Sequence, residues 1–136
     1  MYRQIQRHRS PISKEDIMYL DQAELIQFDM SMGDPSMEMA SYRDEHWVTY
    51  TFTGFDPEYR LDVEALEVSI REFVADSRYA VYDYEILDFT HEEYPAIEIN
   101  LGVEISTHDK TKADIFDELW PITKEITRIS PEEYAL

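Results

Sequence analysis

The sequence predicts an α+β domain: an antiparallel sheet of four to five strands with two main helices packed on one face, in the order α-β-β-(β)-α-β-β-α. Three observations carry this expectation. Several segments alternate apolar and polar residues with period two, the signature of half-buried strands. Two segments, near residues 63–74 and 115–129, carry apolar stripes at helical spacing. The strand-like segments follow one another as hairpins do, which favours an antiparallel sheet with its helices segregated on one face.

Taken in chain order, Ser13-Lys14-Glu15-Asp16 has capping-box spacing and opens a short helix through Ile17, Met18 and Leu20 to about Gln22. Ile26, Phe28, Met30 and Met32 alternate with Gln27, Asp29 and Ser31 as a strand. Gly33-Asp34-Pro35 is a turn. Ser36 to Tyr42 reads as a weak edge strand with Met37 and Met39 on one face. From Trp47 to Phe55 the strand pattern is clear, with Val48, Tyr50 and Phe52 facing one way. Asp62 caps the first long helix, whose stripe is Val63, Leu66, Ile70, Phe73 and Val74. In the next strand Tyr82, Tyr84 and Ile86 share a face, and the switch to Leu87 and Phe89 suggests a bulge. Ile97, Ile99, Leu101, Val103 and Ile105 form the cleanest strand. Thr111 and Asp114 form a second capping box ahead of Ile115, Leu119, Ile122, Ile126 and Ile129. Pro121 sits inside that stripe and is expected to kink or split the helix. Ser130-Pro131-Glu132-Glu133 opens a last helical turn.

At 136 residues the chain is one domain by size, and a domain of this length buries roughly two-thirds of its unfolded surface without needing disulfides or metal. Hydrophobic residues at 43% and aromatics at 13% exclude a disordered chain. Charge is the distinctive feature: 30 Asp and Glu against 12 Lys and Arg, a net charge of -18. Its distribution is uneven. Arg3, Arg7, Arg9 and Lys14 fall within the first 14 residues, which hold no acid. Residues 15–136 therefore carry all 30 acids against the remaining eight bases, a net of -22. The expected organisation is a flexible basic arm over 1–12 and a single acidic domain over 13–136. Such a field repels nucleic acid and anionic lipid and attracts basic partners. The segment MYRQIQRHRS lacks the apolar core of a signal peptide, and no stretch approaches the ~18 apolar residues of a membrane span. The expected location is the cytoplasm.

Motifs for chemistry are sparse. The absence of cysteine excludes disulfides, thiol catalysis and Cys-ligated zinc. The three glycines form no phosphate-binding array, and His8, His46, His91 and His108 form no HxxxH pair. His91-Glu92-Glu93 with His108-Asp109 reads as polar turns in preference to a metal site. Asp83, Asp88, Glu98 and Asn100 resemble a nuclease cluster in type only, because cations to stabilise phosphoryl charge are scarce nearby. No catalytic residue, metal or cofactor is expected.

A stronger pattern is acid interleaved with tyrosine, densest from Tyr79 to Asp88 and repeated at Asp56-Pro57-Glu58-Tyr59, Glu92-Glu93-Tyr94 and Glu132-Glu133-Tyr134. Carboxylates on a rigid element can take the place of phosphates and pair with Arg and Lys, and tyrosine adds flat contact area at low entropy cost. The competing explanations are a solvated acidic face, with tyrosines half in the core, and adaptation to high salt. Four Lys against eight Arg fits the latter, but the abundance of Ile, Met and Tyr does not.

In size, charge and lack of catalytic motifs the chain resembles phage-encoded inhibitors that mimic DNA, anti-CRISPR and anti-restriction proteins among them, and the immunity proteins that block basic nuclease toxins. The element order also resembles the small acidic dimeric chaperones of type III secretion, although the first helix is short and the basic arm is foreign to them. The first resemblance implies an inhibitor of a basic nucleic-acid-binding protein or nuclease complex. The expected contact residues are Asp83, Glu85 and Asp88 with Tyr82 and Tyr84 on one strand, Glu92 and Glu93 in the next loop, and Glu64, Glu67 and Glu72 on the helix. The alternative is a chaperone for an exported client, which requires a homodimer.

Overall fold

The structure is a computed structural model that describes residues 3–7, 24–28, 35–42 and 45–136, with backbone alone for 3–7, 24–28 and Tyr42. Strands β1 (Arg3–Arg7), β2 (Glu24–Phe28), β3 (Ser36–Tyr42) and β4 (Glu45–Phe52) precede helix α1 (Val63–Ala75). Strands β5 (Val81–Asp88) and β6 (Ile97–Val103), helix α2 (Lys112–Ile129) and a 3-10 turn (Pro131–Glu133) follow. The fold is α+β, as its alternation and helical stripes dictate. The central antiparallel strands run β5-β6-β4-β3, with β1 beside β5 and β2 beside β3 at the two edges. The expected helix over Ser13–Gln22 lies outside the described residues, as do Met30 and Met32.

The helix-facing side of the sheet is apolar because every second residue of its strands is. Across the ladder Met37, Tyr50, Ile99 and Ile86 stand in one row. Met39, Val48, Leu101 and Tyr84 form the next. All are buried in a single core with Leu66 and Ile70 of α1 and Leu119, Ile122 and Ile126 of α2. Tyr50 crosses this core and shares a 2.8 Å hydrogen bond with Thr123 of α2. Burial there raises its hydroxyl pKa well above the ordinary value. The pairing satisfies a hydroxyl that would otherwise be stranded among aliphatics.

Helix boundaries follow local chemistry. The Asp62 side chain accepts from the Ala65 amide at the start of α1. Thr111 and Asp114 form a reciprocal capping box at the start of α2. Pro121 does not split α2, which runs unbroken to Ile129. Its ring lies on the exposed face, where a carbonyl deprived of its helical donor can turn to water. Gly54 turns the chain after β4 with φ 84°, a conformation that only glycine adopts freely. The C-terminal turn is tied back to the body: Tyr59 donates to the Pro131 carbonyl at 2.5 Å, and Asp62 N donates to the Tyr134 carbonyl at 2.7 Å. Burial, then the charges of Asp88 and Glu132, push the Tyr59 hydroxyl up to about 12.

Two expectations are corrected, at Ser36–Tyr42 and at the bulge of β5. The segment Ser36–Tyr42 is not an edge strand, since β2 pairs with it residue for residue from Glu24–Ser41 to Phe28–Met37. Within the expected arm, Arg3–Arg7 forms a strand antiparallel to β5. Their register places Arg7 opposite Glu85 and Arg3 opposite Asp88. The bulge in β5 lies near its start, where the register steps from Val81–Val103 to Asp83–Gly102. The extra residue, Tyr82, therefore does not share a face with Tyr84 and Ile86.

Candidate protein-binding surface

The acids of β5 are drawn into the fold. Asp83, Glu85 and Asp88 are only 3%, 2% and 1% exposed, and Tyr84 is 1% exposed. They do not form one face. Asp88 points to the helix side, in register with Ile97. Its Oδ1 accepts from the Thr90 amide at 2.9 Å and the Thr90 hydroxyl at 2.5 Å, closing the strand into the next loop. Asp83 and Glu85 lie on the opposite side, in register with Gly102 and Asn100. Glu85 accepts from the Asn100 amide at 3.2 Å, and Asn100 in turn accepts from Thr49 at 2.7 Å, a polar row across three strands. Asp83 accepts from the Tyr84 amide at 2.9 Å. Tyr82 meets Trp47 edge-on, with ring centroids 6.2 Å apart. Both rings cover Gly102, where an added Cβ would come within 2.9 Å of Tyr82 and 3.3 Å of Trp47.

Asp83, Glu85, Asp88 and Tyr84, expected as contact residues, thus present no exposed row. A buried carboxylate needs nearby partners to offset its lost hydration. These acids are placed among donors of their own chain.

The other expected contact residues remain accessible in part. Glu64 and Glu72 are exposed on α1, while Glu67 is half-buried and paired with Arg71 one turn on. The neighbouring Tyr84 hydroxyl and the Glu67 carboxylate hold the Arg71 guanidinium above its ordinary pKa. In the loop after β5, Glu92 is half-buried and Glu93 exposed. On α2, Asp114, Asp117 and Glu118 are exposed, Glu118 paired with Lys110 at 2.5 Å. Helical acids stay in water because the core claims only one stripe of each helix.

A groove of about 450 Å³ opens where the C-terminal halves of both helices meet the end of the chain. Ser69, Glu72 and Phe73 line it from α1, Asp76, Arg78 and Tyr79 from the following turn, Glu125, Arg128 and Ile129 from α2, and Glu133 and Tyr134 from the end. Arg78 grips both oxygens of Asp76, with its Nη2 2.6 Å from Oδ2. Its guanidinium lies 5.6 Å from the centroid of the Tyr79 ring. Arg128 pairs with Glu125, to which Tyr79 also donates at 3.5 Å. The arginine bonds lower the carboxyl pKa of Asp76 and of Glu125 and raise those of both arginines. Ser69 and Tyr134 share a 2.7 Å hydrogen bond.

Of these lining residues only Glu72 belongs to the contact set expected from sequence. Two of the acid–tyrosine segments, around Tyr79 and at Glu132-Glu133-Tyr134, do converge here. They are more than 50 positions apart in sequence, and no local pattern joins them.

Among the described residues the histidines do not gather, and His8 lies outside them. His46 is buried and shares a 2.7 Å hydrogen bond with Ser41. His91 and His108 are exposed, the latter beside Asp109. Among the described residues no three His, Asp or Glu side chains come together as a metal site, and no helix is long and apolar enough to cross a membrane. The chain matches no protein-family model, no curated protein and no solved structure.

Proposed function

We propose that the chain is an acidic inhibitor that binds a basic nucleic-acid-binding protein or nuclease complex, its carboxylates occupying the positions of nucleic-acid phosphates. The observation that carries this reading is the net charge of -18, well beyond the magnitude of about 2–8 that keeps a small domain soluble. Much of it stands on rigid helices that are exposed to water, at Glu64, Glu72, Asp114 and Asp117. A fixed array of this sign steers a basic partner at long range and makes the association salt-sensitive. With the β5 acids internal, the contact surface in this reading moves to the helical layer and the loop acids Glu92 and Glu93.

The test is an affinity column of the protein loaded with native host lysate at low salt and eluted by a salt gradient. The expected result is one basic nucleic-acid-binding component that elutes at moderate salt and is released early by a DNA or RNA oligonucleotide. A column carrying Glu64→Lys, Glu72→Lys and Glu93→Lys together is expected to lose that component while the protein keeps its melting temperature. Unchanged capture by the triple variant refutes the reading. Retention of a non-basic client through high salt, with the protein eluting as a dimer on sizing, replaces it with the chaperone.

A further inference from the structure

We infer that the groove between the helix C-termini is the anchor point for an arginine side chain of the partner. This inference rests on the reading of the protein as a binder of basic proteins and specifies where one contact is made.

The groove already displays the chemistry in duplicate. Each of its two guanidiniums is held by a carboxylate, Arg78 by Asp76 and Arg128 by Glu125, and Arg78 also lies over the Tyr79 ring. These two pairs are internally neutral. Two further carboxylates, Glu72 and Glu133, line the same groove and make no ion pair among the described residues. The site therefore carries a net charge of two negatives in a mostly polar cleft, with Phe73 and Ile129 nearly buried at its base. The Tyr134 ring stands beside it, its hydroxyl tethered by Ser69.

An anionic ligand fits poorly. It would have to displace Asp76 or Glu125 from the arginines and to approach a chain of strong negative charge. An ammonium fits less well than a guanidinium, because only the latter offers a planar fork of donors to carboxylates and a flat face to a tyrosine ring. A single arginine inserted among Glu72, Glu133 and Tyr134 completes a third carboxylate–guanidinium pair. Arginine anchors of this kind, desolvated in a pocket, often dominate the energy of an interface.

The probe is a short capped peptide of alternating arginine and glycine, followed by amide chemical shifts of the isotope-labelled protein at low salt. The largest shifts are expected at Ser69, Glu72, Tyr79 and Glu133. Replacing both free acids, Glu72→Gln with Glu133→Gln, is expected to weaken binding about tenfold, the effect of losing roughly one charge-assisted contact. The charge-matched pair Glu104→Gln with Asp109→Asn, exposed and outside the groove, is expected to change it less than about twofold. A lysine–glycine peptide of the same length is expected to bind more weakly than the arginine peptide. Equal losses in the two double variants overturn the groove as an anchor, since the peptide then reads only overall charge, and leave the acidic-surface reading intact. No binding by the unsubstituted protein also overturns the anchor, and the wider reading then stands or falls on its own column experiment.

Discussion

Strand β5 and helix α1 are both rich in acid, and their acids have opposite fates. On β5, Asp83, Glu85 and Asp88 are nearly without solvent exposure. On α1, Glu64 and Glu72 stand in water. The difference is geometric. A strand second from the edge of a sheet has neighbours on both sides, and its side chains alternate between two faces, either of which can be covered. A helix lying on a sheet always keeps a face in solvent. A carboxylate on β5 therefore has to be satisfied inside the fold, whereas one on α1 is left for something outside it. The same residue type is structural in one element and available for binding in the other.

The largest effect that sharpens this contrast is expected from matched charge reversals. Glu85→Lys replaces the acceptor of the Asn100 amide with a buried cation and is expected to cost about 3–5 kcal/mol in chemical denaturation. Glu64→Lys, exposed on α1, is expected to stay within about 0.5 kcal/mol of the parent. Similar costs at both positions would break the distinction between internal and available acids.

Next in size is Gly102→Ala. The new methyl group meets the Tyr82 ring at 2.9 Å, and displacing that ring from Trp47 is expected to cost about 1–3 kcal/mol. A neutral result would mean that the rings opposite the helices are loosely held. Thr111→Ala removes one half of the capping box of α2 and is expected to cost about 1 kcal/mol by thermal melting. Thr111→Ser is expected to restore most of it.

The smallest effect concerns the groove. Asp76 titrates below its ordinary value of 3.8, chiefly through its hydrogen bonds from Arg78. A carboxyl with a lowered folded pKa adds stability above its unfolded pKa and loses it as the pH falls through the folded value. Asp76 lies at the surface, half-buried, so its titration rather than the stability is the quantity to follow. By carboxyl NMR, Arg78→Ala is expected to move the Asp76 midpoint back up toward 3.8. A midpoint that does not move would show that the pair does not persist in solution.

Much of the fold was readable beforehand because its signals are local. Val48, Tyr50 and Phe52 announce a strand face within a few residues, as Leu66, Ile70 and Phe73 announce a helix face. The caps Asp62 and Thr111 mark where the helices begin. The candidate site was far less readable. Glu85 and Glu64 look equally available in a linear chain, and the acid–tyrosine pattern that drew attention to Tyr82 and Tyr84 has different outcomes at those two positions. A single inserted residue at Tyr82 turns one ring toward Trp47 and leaves the other in the helix-facing core. The arginines that complete the groove, Arg78 and Arg128, carried no local signal at all.

By itself the sequence determined the α+β class, the position of both helices and most strands, the composition of the core and the strongly negative charge. Each of these depends on periodicity, capping chemistry or simple counting. Only the tertiary structure decided that Ser36–Tyr42 lies inside the sheet, that Arg3–Arg7 aligns beside the acids of β5, and that Tyr79, Glu125 and Tyr134 share one groove. Those outcomes depend on which distant segments pair. Pairing is selected by the combined burial and charge balance of the whole sheet, which no single segment contains.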